Sequence, residues 1–117
     1  YISPTTSCPL ILDKGWEYTI NNNTSTIDLP KFDQPTKVYA TYKKTVDLNE
    51  SFSKILTPYT YATVSLYIDN STVGKEKIFL HPDNDFEYII TKGIHNFRFE
   101  IYHGSNVGGL GQVVLCK

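Results

Sequence analysis

Residues 62–69 read Ala-Thr-Val-Ser-Leu-Tyr-Ile-Asp, and no other stretch constrains the chain as strongly. Ala62, Val64, Leu66 and Ile68 share one parity, and Thr63, Ser65, Tyr67 and Asp69 share the other. A helix would scatter each set around its circumference, whereas a strand sends the two sets to opposite faces. The octet therefore predicts a strand buried on one side, and its β-branched and aromatic residues suit a pleated surface. Asn70-Ser71-Thr72 is a turn signal, after which residues 73–80 run back. A second turn over 81–85 leads to alternating Phe86, Tyr88 and Ile90; Lys92-Gly93 then turns into alternating Phe97, Phe99 and Ile101. Strands joined by such turns predict a four-stranded antiparallel meander, whose apolar face the rest of the chain must cover.

Upstream, residues 1–7 are polar, contain Pro4 and read as an extended tail. Pro9, Leu10, Ile11 and Leu12 form a short apolar strand, and Trp16, Tyr18 and Ile20 alternate inward after the turn at Asp13-Lys14-Gly15. Trp16 is the only tryptophan and reads as a core anchor, with a sugar-stacking platform as its alternative. A loop over 21–24, a short strand over 26–29, a Pro30–Pro35 connection and a long strand over 37–46 follow. Residues 47–58 are irregular, readable as one helical turn or a strand edge, and a last strand covers 112–116. Eight or nine strands at this spacing predict an all-β, antiparallel β-sandwich of immunoglobulin-like or jelly-roll type. Residues 1–117 form one such domain, with 1–12 an extended tail or assembly strand.

Cys8 and Cys116 stand near the two ends and predict a disulfide, within one chain or between two. Asn-x-Ser/Thr triplets begin at Asn22, Asn23, Asn49 and Asn70, each where a turn or loop is expected. Together these point to a secreted glycoprotein; a bacterial or phage protein would carry the same triplets unmodified. No leader segment is read in the chain, which starts at Tyr1 and has no methionine, so a processed chain or excised fragment is expected. A net charge of −1 gives no field that would draw nucleic acid, and the apolar runs are too short for a membrane span.

Residues 64–70, Val-Ser-Leu-Tyr-Ile-Asp-Asn, followed by Val73-Gly74, are similar to a hairpin of immunoglobulin-like modules in secreted prokaryotic surface proteins. Gly93-Ile94-His95-Asn96-Phe97-Arg98-Phe99 resembles the strand that follows it there. Asn70 stands where those modules carry Gly, and the inter-sheet cysteine pair of antibody domains has no counterpart. The resemblance implies a sandwich with a binding, spacer or filament role and carries no functional residues across.

Catalytic and metal-binding patterns are weak. His95 and His103 lie too far apart along one strand to share a metal, and His81 sits in a turn. The oxygen-rich residues 81–87 lack the glycine and final glutamate spacing of a calcium loop and read as a solvated turn. Residues 104–111 hold four glycines but lack the Gly-Lys-Ser/Thr ending of a phosphate loop, so a flexible connection is expected. No Gly-x-Ser-x-Gly elbow is present. No metal and no cofactor are expected. Tyr39, Tyr67 and Tyr102 fall on the strand face opposite the apolar one, where they could stack on sugars or meet a neighbouring subunit.

The expectation is therefore a secreted, non-enzymatic structural subunit of an extracellular filament or cell-surface assembly. It would self-associate through Pro9–Leu12 donated as an assembly strand. The alternative is a carbohydrate-binding or adhesion module.

Overall fold

The computed structural model describes residues 2–33, 37–80, 85–104 and 107–117. Among them lie twelve strands and no helix: β1 (Leu10–Ile11), β2 (Trp16–Ile20), β3 (Asn23–Ile27), β4 (Lys31–Asp33), β5 (Val38–Leu48), β6 (Phe52–Leu56), β7 (Tyr61–Ile68), β8 (Ser71–Leu80), β9 (Asp85–Ile90), β10 (Gly93–His103), β11 (Gly108–Leu110) and β12 (Val114–Cys116). The larger sheet runs β3-β2-β5-β10-β7-β11-β4, with β8 on the other flank of β7; the smaller runs β1-β12-β6-β9. Every pairing is antiparallel. The two sheets share one apolar core in a sandwich- or barrel-like arrangement.

The alternation of 62–69 produces the expected two-sided strand: Val64, Leu66 and Ile68 are buried, while Thr63 and Tyr67 are half-exposed. Trp16 is fully buried, packs against Phe99 at 5.7 Å, and donates its Nε1 hydrogen to the Leu12 carbonyl at 2.6 Å. It is a core anchor. The indole hydrogen bond also satisfies the one polar group that burial would otherwise leave unpaired.

The meander does not form. The β7–β8 hairpin does, but β9 leaves for the smaller sheet and pairs with β6, and β10 pairs directly with β7 and β5. Packing supplies the reason. Phe86, at the start of β9, is fully buried between Phe79 (5.2 Å) and Phe99 (6.4 Å), a position that closes one sheet over the other. Gly74 makes room for it, since a Cβ there would lie 2.6 Å from the Phe86 ring.

Three further expectations change. Residues 52–56, in the stretch read as a helical turn or irregular edge, are strand β6 between β12 and β9. The loop expected over 21–24 shrinks to Asn21-Asn22, with φ of 50° and 62°, and β3 starts at Asn23. Asparagine tolerates this left-handed backbone, which matches the twist of a two-residue hairpin. The glycine-rich 104–111 stretch is not a free connection: Gly108–Leu110 is a buried strand between β4 and β7. With Lys31–Asp33, a strand inside the stretch read as the Pro30–Pro35 connection, β6 and β11 raise the count from eight or nine to twelve.

The tail is folded back. Ile2 donates its amide to Gln112 Oε1 at 2.6 Å, and Gln112 Nε2 returns a bond to the Ile2 carbonyl at 3.2 Å. Leu10 and Ile11 pair with Leu115 and Val114 of the same chain, and the Leu12 amide donates to Val113 O at 2.8 Å. Cys8 and Cys116 are bonded within the chain, 108 residues apart in sequence. Leu10–Ile11, within the Pro9–Leu12 stretch, thus pairs as a strand inside this chain, beside the C-terminal strand.

Candidate functional site

The outward residues of the larger sheet line up in rows across the strands, because directly opposite residues share a face. One row is Thr26–Glu17–Lys43–Arg98–Tyr67–Thr72, and the next is Thr24–Thr19–Thr41–Glu100–Ser65. Beyond them lies Tyr39–Tyr102–Thr63–Ile78, followed by Tyr61 opposite Leu80. The face is therefore graded, charged and hydroxylated at one end and aromatic and aliphatic at the other. At the apolar end Tyr39 is 72% exposed, Ile78 71% and Leu80 67%.

Of the three outward tyrosines, Tyr67 is covered by the Arg98 guanidinium, 4.4 Å from its ring centre. Tyr39 and Tyr102 stack on each other at 4.3 Å with planes 31° apart. Beside them runs a trough of about 370 Å³ lined by Tyr39, Thr63, Ser65, Glu76, Ile78, Glu100, Ile101 and Tyr102. It meets a smaller cleft of about 240 Å³ that shares Thr63, Ile78 and Tyr102.

Glu76 reaches this trough through a β-bulge. The β7–β8 register shifts between Val64 and Leu66, so two β8 residues, Lys75 and Glu76, stand opposite the single Ser65. Glu76 adopts a φ of 57°, uncommon for a residue with a side chain, and its amide donates to Ser65 Oγ at 2.9 Å. A bulge re-aims the side chains of its strand. Lys75-Glu76-Lys77 reads in sequence as an ordinary solvated edge, so nothing there signals that Glu76 and Glu100 border one trough with an aromatic pair.

A second constellation sits at the opposite end of β10. His95 Nδ1 is 2.6 Å from Asp69 Oδ2, and its Nε2 is 2.7 Å from the Thr91 carbonyl. The backbone amide of Asn96 donates to Asp69 Oδ1 at 2.8 Å. A carboxylate and a carbonyl both only accept, so both histidine bonds form together only in the imidazolium. The bond to Asp69 raises the His95 pKa above 6.5, helped by Thr91 and opposed by burial. The Asn96 amide, and then His95, lower the Asp69 pKa below 3.8. With Nε2 spent on a backbone carbonyl, the pair clamps the β7–β8 turn to β10 rather than presenting a base.

The signs of the two shifts define a window. The Asp69 contribution is present above the ordinary carboxylate pKa and is lost as pH falls through its lowered folded value. The His95 contribution is complete below about 6.5 and is lost as pH rises through its raised folded value. We expect His95→Ala to destabilise the fold most between about pH 4 and 6.5, by roughly 1 kcal/mol or less, since the Asp69 carboxylate is 47% exposed. Urea midpoints of both proteins at pH 5.5 and pH 9 check this, and an equal difference at the two values would refute it.

The remaining sequence-derived residues separate in space. Asn22 and Asn23 lie exposed at the β2–β3 hairpin, Asn49 lies exposed after β5, and Asn70 lies exposed in the β7–β8 turn. Asn70 Oδ1 accepts a hydrogen bond from Arg98 Nη1 at 3.0 Å, an oxygen that an N-linked sugar would leave in place. His95 and His103 stand eight residues apart on β10, and His103 is buried. His81–Asn84, most of the oxygen-rich turn, lie outside the described residues, as do Ser105 and Asn106 of the glycine-rich stretch. No group of three metal-ligating side chains occurs among the described residues. No helix among them is long and apolar enough to cross a membrane. Comparison with protein-family models, curated proteins and solved structures finds no match.

Proposed function

We propose that this chain is a secreted, non-enzymatic adhesion module, an immunoglobulin-like or jelly-roll sandwich that meets its partner on the outer face of its larger sheet. The observation that carries this reading is the exposure of Ile78 and Leu80 on β8 and of Tyr39 at the far end of the same cross-strand row, all on one sheet face. Large apolar side chains gathered at one end of an outer sheet face mark a surface suited to a partner. The Cys8–Cys116 cross-link fits an oxidising compartment, and the exposed sequons fit glycosylation there. The filament-subunit reading draws on the same face, which a second copy could also cover. Donation of Pro9–Leu12 to a neighbour would have to rebuild in trans the pairing that β1 makes in cis.

Beads coated with the protein and presented to cell-surface and extracellular-matrix preparations test the adhesion reading. Ile78→Asp and Leu80→Asp, both on exposed positions, should lower bead retention about tenfold while leaving thermal melting unchanged. Retention equal to that of the wild type would overturn it. Sedimentation of the purified protein separates the second reading: polymers that disperse in the same two variants would favour a filament subunit over an adhesion module.

A further inference from the structure

We propose that the trough beside Tyr39 and Tyr102 binds a neutral oligosaccharide. This rests on the adhesion reading and names the chemistry of its partner.

Tyr39 is backed by Tyr102 at 4.3 Å yet remains 72% exposed, so its outer face is open and held against a second ring. A tyrosine ring has few torsions to immobilise and offers a flat apolar platform with little entropic cost. One face of a pyranose presents C–H groups that pack on such a platform. The sugar's hydroxyls, which both donate and accept, must then find partners around its rim.

The rim is built for that. Thr63 and Ser65 supply hydroxyls, and Glu76 and Glu100 supply carboxylate acceptors. Ser65, 9% exposed at the trough floor, accepts the Glu76 amide at Oγ and keeps its own hydrogen and one lone pair for a ligand. A purely aliphatic partner would strip water from these four groups without replacing their hydrogen bonds.

Charge selects among sugars. The acidic residues lining the trough are Glu76 and Glu100, and among the described residues no lysine or arginine lines it. Arg98 neutralises part of Glu100 from outside, with Nε 3.0 Å from Oε2. A uronic acid, sialic acid or sulfated sugar would bring a further negative charge beside the carboxylates of Glu76 and Glu100. Length also matters. The row from Tyr39 to Ile78 crosses four strands, three spacings or about 14 Å, which suits a short oligosaccharide rather than one ring.

The test is a titration of the isotope-labelled full chain, read by amide resonances, with neutral tetrasaccharides of glucose, N-acetylglucosamine, mannose and galactose. A sialylated and a hexuronate tetrasaccharide serve as charge controls. At least one neutral sugar should shift Thr63, Glu100 and Tyr102, and the acidic ones should not. Tyr39→Ala should weaken that binding about tenfold with only the small fall in melting that loss of the Tyr102 stack brings, and Thr63→Val provides a second, isosteric variant that keeps the stack and should weaken binding less. The inference is overturned if no neutral sugar binds at millimolar concentration, or if affinity is unaltered in Tyr39→Ala. Were no sugar to bind while Ile78→Asp still abolished bead retention, the glycan inference alone would fail and the partner would be a protein. Sugar binding with bead retention unaffected by Ile78→Asp would leave the site standing and remove the adhesion reading.

Discussion

Replacing both Cys8 and Cys116 by alanine is expected to cost about 4–5 kcal/mol of stability, the value for closing a loop of roughly a hundred residues in the chain-entropy model. The bond links residues 108 apart, so almost the whole chain lies inside the loop. Breaking it frees the denatured chain far more than it disturbs the folded one. In the fold, β1 stays paired with β12, and Ile2, Asp13 and Gln112 keep their mutual hydrogen bonds. A domain of this kind has only about 5–15 kcal/mol of stability in all, so the variant should approach marginality at ordinary temperature. Denaturant midpoints of the oxidised protein and the double variant measure the effect. Midpoints that coincide would show that the reduced chain is already constrained in its denatured state. Non-reducing electrophoresis of the wild type should show a monomer, since the bond closes within one chain.

The second large effect is expected at Gly109. Its φ of 150° suits glycine, and a Cβ placed there would fall on the Lys31 carbonyl oxygen and lie 3.2 Å from Phe32 Cα. Gly109 faces Phe32 on one side and Tyr61 on the other, so β4 and β7 close on β11 at this residue. Gly109→Ala must either push β4 away or twist β11, and Leu110 beside it is fully buried. The expected loss is on the order of 4 kcal/mol, in the range reserved for overpacking combined with backbone strain. Gly93→Ala is the control: Gly93 also has a positive φ, 123°, but nothing lies within 4 Å of its added Cβ. It isolates the backbone contribution, on the order of 1–2 kcal/mol. Equal losses in the two variants would mean that the close approach of β4 contributes nothing.

Gly109 also shows what sequence can and cannot convey. Which residues become strand, and which face they bury, depends on local alternation, and Val64, Leu66, Ile68, Phe97, Phe99 and Ile101 declare it. Trp16 and the cysteine pair are legible for similar reasons, being single-residue signals with few alternatives. Partner choice is different. Phe86 joins the smaller sheet because Gly74 and Phe79 leave a ring-sized space on another strand, and no local pattern near Phe86 reports that space. Glycines 108, 109 and 111 suggest freedom when read locally, yet each is placed where backbone from elsewhere approaches too closely for a side chain. The candidate site is half legible: Tyr39 and Tyr102 follow from strand parity. Glu76 does not, because its position depends on a bulge opposite Ser65.

The pairing of β1 with β12 has a mechanical consequence. A pull applied to the chain outside Cys8 and Cys116 enters and leaves the molecule at two neighbouring covalently joined points. The tension passes through the sulfur–sulfur bond and bypasses the intervening residues, so neither sheet is sheared or unzipped. Force could extend only the segments outside the bridge. A reducing agent would turn the same module from a rigid shackle into an extensible spring, with β1 the first strand to peel away.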